Sequence, residues 1–82
     1  MVKPMVYCDY KEHTVDTVTY SYGGDVDDIT GIIIFHFKDD MIEIAKEPDV
    51  EPAPIRHIKR LYGVQKDNFK KGIFKKKISY ES

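Results

Sequence analysis

The sequence predicts an α+β fold: a small antiparallel sheet of four or five strands with one helix on a face, in the order β-β-β-β-α-β. Three observations carry this. Residues 31–46 form two apolar, β-branched runs around Asp39-Asp40, the pattern of a β-hairpin. Residues 14–22 alternate, with Val18, Tyr20 and Tyr22 facing one way and Thr17, Thr19 and Ser21 the other. After Pro48, Pro52 and Pro54 the apolar spacing changes, and Ile55, Ile58 and Leu61 or Tyr62 recur at helical intervals.

The first strand is expected over Met5 to Tyr10. Val6, Cys8 and Tyr10 share one face, and Lys11, Glu12 and His13 form the turn. The second strand runs from Thr14 to Tyr22, and Gly23-Gly24 ends it. An acidic loop, Asp25 to Asp28, leads into the hairpin.

In the third strand Ile33, Phe35 and Phe37 lie on one face, with Ile32, Ile34 and His36 on the other. Both faces are apolar, which predicts a central strand and makes His36 a hydrogen-bonded core histidine. Its partner, Met41 to Lys46, is amphipathic and sits nearer an edge. The aspartates tolerate turn conformations better than most residues.

Residues 47–54 read as an extended connector, because proline removes a ladder donor and fixes φ. Pro54 suits the first helical position. The helix is expected to bury Ile55, Ile58 and Leu61 against Ile33, Phe35 or Phe37, with Arg56, Lys59 and Arg60 outside. Gly63 reads as the residue past its end, with Val64 folded back onto Ile58. A further turn from Asp67 is stopped by Gly72. Residues 73–80 form the last strand, with Phe74, Ile78 and Tyr80 on one face.

A chain of 82 residues makes a single domain, 1–82, with a small core. That size raises the expectation of a homodimer. No apolar run is long enough to span a bilayer, so no membrane partner is expected. The first eight residues lack the apolar region of a signal peptide. A single Cys8 cannot form an internal disulfide, which points to a reducing, cytoplasmic setting.

Charge is divided along the chain. Twelve acids stand against four lysines before residue 53, and nine cations against two acids after it. Such asymmetry hints at an interaction surface. The basic candidates for phosphate or nucleic-acid contact are Arg56, His57, Lys59, Arg60, Lys66, Lys70, Lys71, Lys75, Lys76 and Lys77. They interleave with Tyr62, Phe69, Phe74 and Tyr80, the combination a single-strand site uses. The acidic candidates are Asp25, Asp27, Asp28, Asp39 and Asp40. A carboxylate-rich face of that kind could imitate a nucleic-acid backbone and inhibit an enzyme that handles one.

Catalytic patterns are sparse. Cys8, His13, His36 and His57 have no close metal-ligand spacing, and residues 25–31 match a calcium loop only in part. A Cys8–His36 pair across neighbouring strands would lack a third member and an oxyanion site. No glycine-rich phosphate loop is present. These observations lead to the expectation of a non-enzymatic protein without a cofactor, recognising a protein partner through its surface. A nucleic-acid-binding protein using the basic third is the alternative, and the acidic inhibitor comes after it.

Overall fold

The computed structural model describes residues 5–50 and 53–81. Residues 51–52 of the predicted connector, including Pro52, lie outside the described residues, as do residues 1–4. The strands are β1 (Met5–His13), β2 (Val18–Gly23), β3 (Gly31–His36), β4 (Met41–Lys46) and β5 (Lys77–Glu81), and the helix is α1 (Ile55–Lys70). They form one antiparallel sheet in the order β4-β3-β2-β1-β5. The expected α+β architecture and element order are therefore observed.

Alternation decides the faces. Val6 and Cys8 of β1, Val18, Tyr20 and Tyr22 of β2, and Ile33 and Phe35 of β3 are all buried under α1. Each stands two residues from the next, so one face collects them all. The opposite face carries Tyr7, Thr19, Ser21, Ile32, Ile34 and His36, all only half-buried. β3 is an inner strand, as its apolar character predicts, but only one of its faces is covered.

The strand limits shift. β1 runs on to His13 through an irregularity at Lys11, where Tyr10 pairs with Tyr20 and Glu12 with Thr19. The turn is residues 14–17 instead. There the Thr14 Oγ1 accepts from the amides of Asp16 and Thr17, at 3.2 and 3.1 Å, so the threonine closes the turn. The β3–β4 loop is four residues long, with His36 opposite Met41. Asp40 takes the positive φ of 55° that the loop needs. β5 begins at Lys77, four residues later than predicted, because Phe74 leaves the sheet to join the core edge.

The helix departs most from the sequence reading. It is one unbroken element of sixteen residues and passes straight through Gly63. Pro54 is its N-cap rather than its first residue, and no side chain caps that end. Ile58, Leu61, Tyr62, Gln65 and Phe69 face the sheet, while Ile55 and Val64 are exposed. The predicted burial of Ile55 and the fold-back of Val64 are therefore overturned. Ile55 sits at the first turn, before the helix reaches the sheet's apolar centre.

The stop signal is Gly72, with φ of 78°. Its amide donates to the Phe69 carbonyl at 3.0 Å, and the Ile73 amide to the Asn68 carbonyl at 2.8 Å. This pair of reversed bonds is the Schellman motif, and glycine alone adopts its left-handed position without a Cβ penalty.

Gly63 inside the helix and Gly72 just past its end have opposite roles. A Cβ at Gly63 meets nothing within 4 Å. Gly63→Ala is therefore expected to stabilise the protein by about 1 kcal/mol, through lower chain entropy when unfolded. Gly72→Ala forces an L-residue into the left-handed region and is expected to cost about 1 kcal/mol. Thermal melts followed by circular dichroism check both. A lower midpoint for Gly63→Ala would contradict the continuous helix.

Candidate functional site

The antiparallel order puts alternate connections at opposite ends of the sheet. The upper end holds the β2–β3 loop and the connector into α1. The lower end gathers the 14–17 turn, the 37–40 turn, the C-terminus of α1 and the 71–76 connector. This arrangement separates the sequence-predicted acids. Asp25 and Asp27 belong to the upper end, Asp39 and Asp40 to the lower, so the five aspartates do not make one surface.

Asp28 is not a surface group at all. It is buried, its Oδ1 accepts from the Thr30 hydroxyl at 2.9 Å, and its Oδ2 accepts from the Val50 amide at 2.8 Å. The Thr30 Oγ1 in turn accepts from the Asp49 amide at 2.8 Å. A buried carboxylate needs such donors, so Asp28 ties the acidic loop to the proline-rich connector. Burial therefore takes Asp28 out of the expected acidic recognition surface.

Asp40 has a different attachment. The Tyr62 hydroxyl donates to its Oδ1 at 2.7 Å, and the Lys70 ammonium lies 3.1 Å from the same atom. The Tyr62 hydroxyl, followed by Lys70, holds the Asp40 carboxyl below its ordinary range. Burial, and then the bond to Asp40, push the Tyr62 hydroxyl up. One aspartate thus clamps the helix to the β3–β4 turn.

The basic candidates divide too. Arg56, Lys59 and Arg60 lie exposed on the outer side of the first half of α1, and Arg60 donates to the Tyr80 hydroxyl at 3.3 Å. Lys77 lies 3.1 Å from Asp9. His57 is turned inward, only 4% exposed, against the ring of Tyr80 at 5.6 Å. It is not presented beside Arg56 as a phosphate contact, because the helix rotates it onto the sheet side.

The remaining cations collect at the lower end. Lys70, Lys71 and Gly72 line an open groove of about 610 Å³ together with His13, Thr14, Val15, Phe37, Phe69 and Phe74. Lys70 is paired with Asp40, and Lys38 lies 3.8 Å from Asp16. Lys71, Lys75 and Lys76 are exposed and have no ion pair among the described residues. The connector carrying them is pinned: the Tyr20 hydroxyl donates to the Lys75 carbonyl at 2.9 Å, and the Tyr10 amide to the Lys76 carbonyl at 2.8 Å. These cations therefore ride on an anchored backbone.

An aromatic column reaches the same groove. Phe69 is buried beside Phe35, Tyr20, Phe37 and Tyr62. Phe74 stacks on Phe69 at 5.9 Å and His13 stacks on Phe74 at 4.3 Å, both within 26° of parallel. His13 is exposed, and its Nδ1 lies 2.6 Å from the Tyr10 hydroxyl. The sequence places His13 in a turn and gives it no role. Its neighbour Phe74 lies far along the chain, and only the β1–β5 pairing brings the two together.

The catalytic candidates do not assemble. Cys8 belongs to the buried face of β1 and is 1% exposed, whereas His36 lies on the open face of β3 with β2 between them. His36 is no core histidine. It is half-exposed and its Nε2 is 2.9 Å from Glu43 on β4. Burial, then the neighbouring Asp9, push the Cys8 thiol up to about 12. Among the described residues, no group of three or more His, Cys, Asp or Glu side chains could hold a metal ion. No helix among them is long and apolar enough to cross a membrane.

Comparison with known protein families, with curated proteins and with solved structures finds no match for this chain.

Two outcomes follow from these ionisations. Cys8 keeps its proton in the folded chain from its ordinary value of 9.0 up to about 12, while the unfolded chain loses it near 9.0. The folded state then binds more protons than the unfolded one, so stability falls as pH rises through that window. Urea midpoints are expected to drop steadily from pH 9 to 12, and less steeply in Cys8→Ala. A thiol reagent at pH 8 is expected to label Cys8 only after denaturation.

For Asp40 the sign is reversed. Its folded value is depressed, so its contribution is present above the ordinary carboxylate range near about 3.9 and is lost as pH falls through the folded value. Tyr62→Phe removes the main cause of the depression. The loss of stability between neutral and strongly acidic pH is expected to be smaller in that variant, as read from urea titrations at both ends. An unchanged difference would show that Tyr62 does not hold the carboxylate.

Proposed function

We propose that this chain is a non-enzymatic recognition protein whose working surface is the basic groove at the lower end, and that the groove takes an anionic partner. The observation that carries this reading is the anchored connector. Lys71, Lys75 and Lys76 have no ion pair among the described residues; Lys71 lines a cleft with aromatic rings, and Lys75 and Lys76 stand on backbone held by Tyr20 and Tyr10. A fixed backbone lowers the ordering cost of binding, since fewer residues lose freedom when a ligand arrives. Cations not already neutralised within the chain can displace counterions from an anionic ligand. The groove also falls in the range of about 300–1,000 Å³ usual for ligand clefts.

Three further observations favour recognition over catalysis and over acid mimicry. The thiol is buried and kept protonated. His13, His36 and His57 occupy the lower end, the open sheet face and the buried helix side, so no two act on one atom. The acids are split between the two ends, which removes the motive for the nucleic-acid mimic. The Tyr20 and Tyr22 side chains offer no surface for the expected homodimer, because both are consumed by the core of one chain.

Binding to inorganic polyphosphate, followed by calorimetry across a salt series, tests the reading. Lys71→Ala/Lys75→Ala is expected to weaken binding several-fold and to lower the slope of log affinity against log salt by about 0.7 per lost contact. Arg56→Ala/Lys59→Ala, on the outer helix face, is expected to leave both unchanged. Equal effects from the two pairs would mean diffuse charge attraction and no groove.

A further inference from the structure

The stacked pair of His13 and Phe74 gives the groove more than charge. His13 is exposed and ends a column of rings that runs inward through Phe74 and Phe69 to Phe35. One face of the imidazole covers Phe74 at 4.3 Å. The one other ring near it among the described residues is that of Tyr10, tilted by 43° at 6.1 Å, and His13 stays exposed. The Tyr10 hydroxyl at 2.6 Å from Nδ1 holds the ring in its plane, and Tyr10 is itself stacked with Phe74 at 6.3 Å. The result is a flat, exposed ring, stacked on its inner side, that lines the groove with Lys71.

We infer that this plate stacks a nucleobase, and that the anionic partner of the groove is a single-stranded nucleic acid. The inference rests on the groove reading above and deepens it. A free aromatic face accepts any base through its π-surface, while neighbouring lysines follow the phosphates, which is how sequence-tolerant single-strand sites work. A duplex does not suit the plate, because its bases are already stacked and their faces are hidden. The groove is a concavity between two turns and a helix end. It offers no protruding helix or ribbon to enter a major groove. A polyanion without bases would use the lysines and ignore the ring.

The test compares three probes on the native chain: a labelled oligothymidylate of about twelve nucleotides, within the usual site sizes, an abasic strand with the same phosphates, and inorganic polyphosphate. The oligothymidylate is expected to bind about tenfold more tightly than the abasic strand, in line with the stacking of one base. His13→Ala is expected to abolish that difference and leave the abasic strand unaffected, while His13→Phe, which keeps a plate on Phe74, restores most of it. If the oligothymidylate and the abasic strand bind equally to the native chain, base stacking is overturned and the groove remains a polyanion site. If none of the three probes binds, the groove reading falls, and this inference with it. The comparison of probes uses the unaltered protein, so the result does not depend on how either variant folds.

Discussion

The fold depends on Phe69 reaching the middle of the sheet. Its ring lies 5.5–6.3 Å from those of Tyr20, Phe35, Phe37, Tyr62 and Phe74. Burying a side chain of that size is worth about 1.5–3 kcal/mol, a large share for a domain of this length, whose whole stability is about 4–12 kcal/mol. A helix that ended at Gly63 would leave Phe69 unsupported. The gain from seating that ring outweighs the roughly 1 kcal/mol that glycine costs inside a helix. The same seating fixes where α1 stops, and so where Gly72, Phe74 and the lysine connector lie.

The lower end inherits its character from this constraint. Rings too numerous for the centre of a small core spill outward through Phe74 to His13. Lys70, in the last turn of α1, suits the negative end of its dipole and meets Asp40. Of the lysines beyond Gly72, Lys77 pairs with Asp9, while Lys75 and Lys76 have no ion pair among the described residues. The chain therefore separates cations that serve the fold from cations left available. The upper end shows the complementary solution, in which Asp28 and Thr30 are spent on holding loop backbone.

Both sheet edges are guarded against further strand pairing. β4 carries a bulge near Ala45, where Ile32 pairs with Lys46 and Ile33 with Ile44. β5 opens on Lys77 just after Lys75 and Lys76. Bulges and lysines both discourage another strand from adding to an edge. The groove proposed as the recognition surface lies instead at an end of the sheet, between two turns and the end of α1.

Much was legible from residue order alone. Alternation placed Val18, Tyr20, Tyr22, Ile33 and Phe35 on one face, and the prolines marked the change from sheet to helix, because both signals are local. The sequence determined by itself the α+β class, the element order and which residues of each strand share a face. It could not distinguish Gly63 from Gly72, since both look alike as helix stops until tertiary packing rewards continuing through the first. Nor could it show that only one face of β3 is covered, which is why His36 read as a core residue. The tertiary structure alone decided which charges are paired and that His13 stands on Phe74. Those facts depend on antiparallel pairings between distant segments, and no local pattern of side chains records which segments will meet.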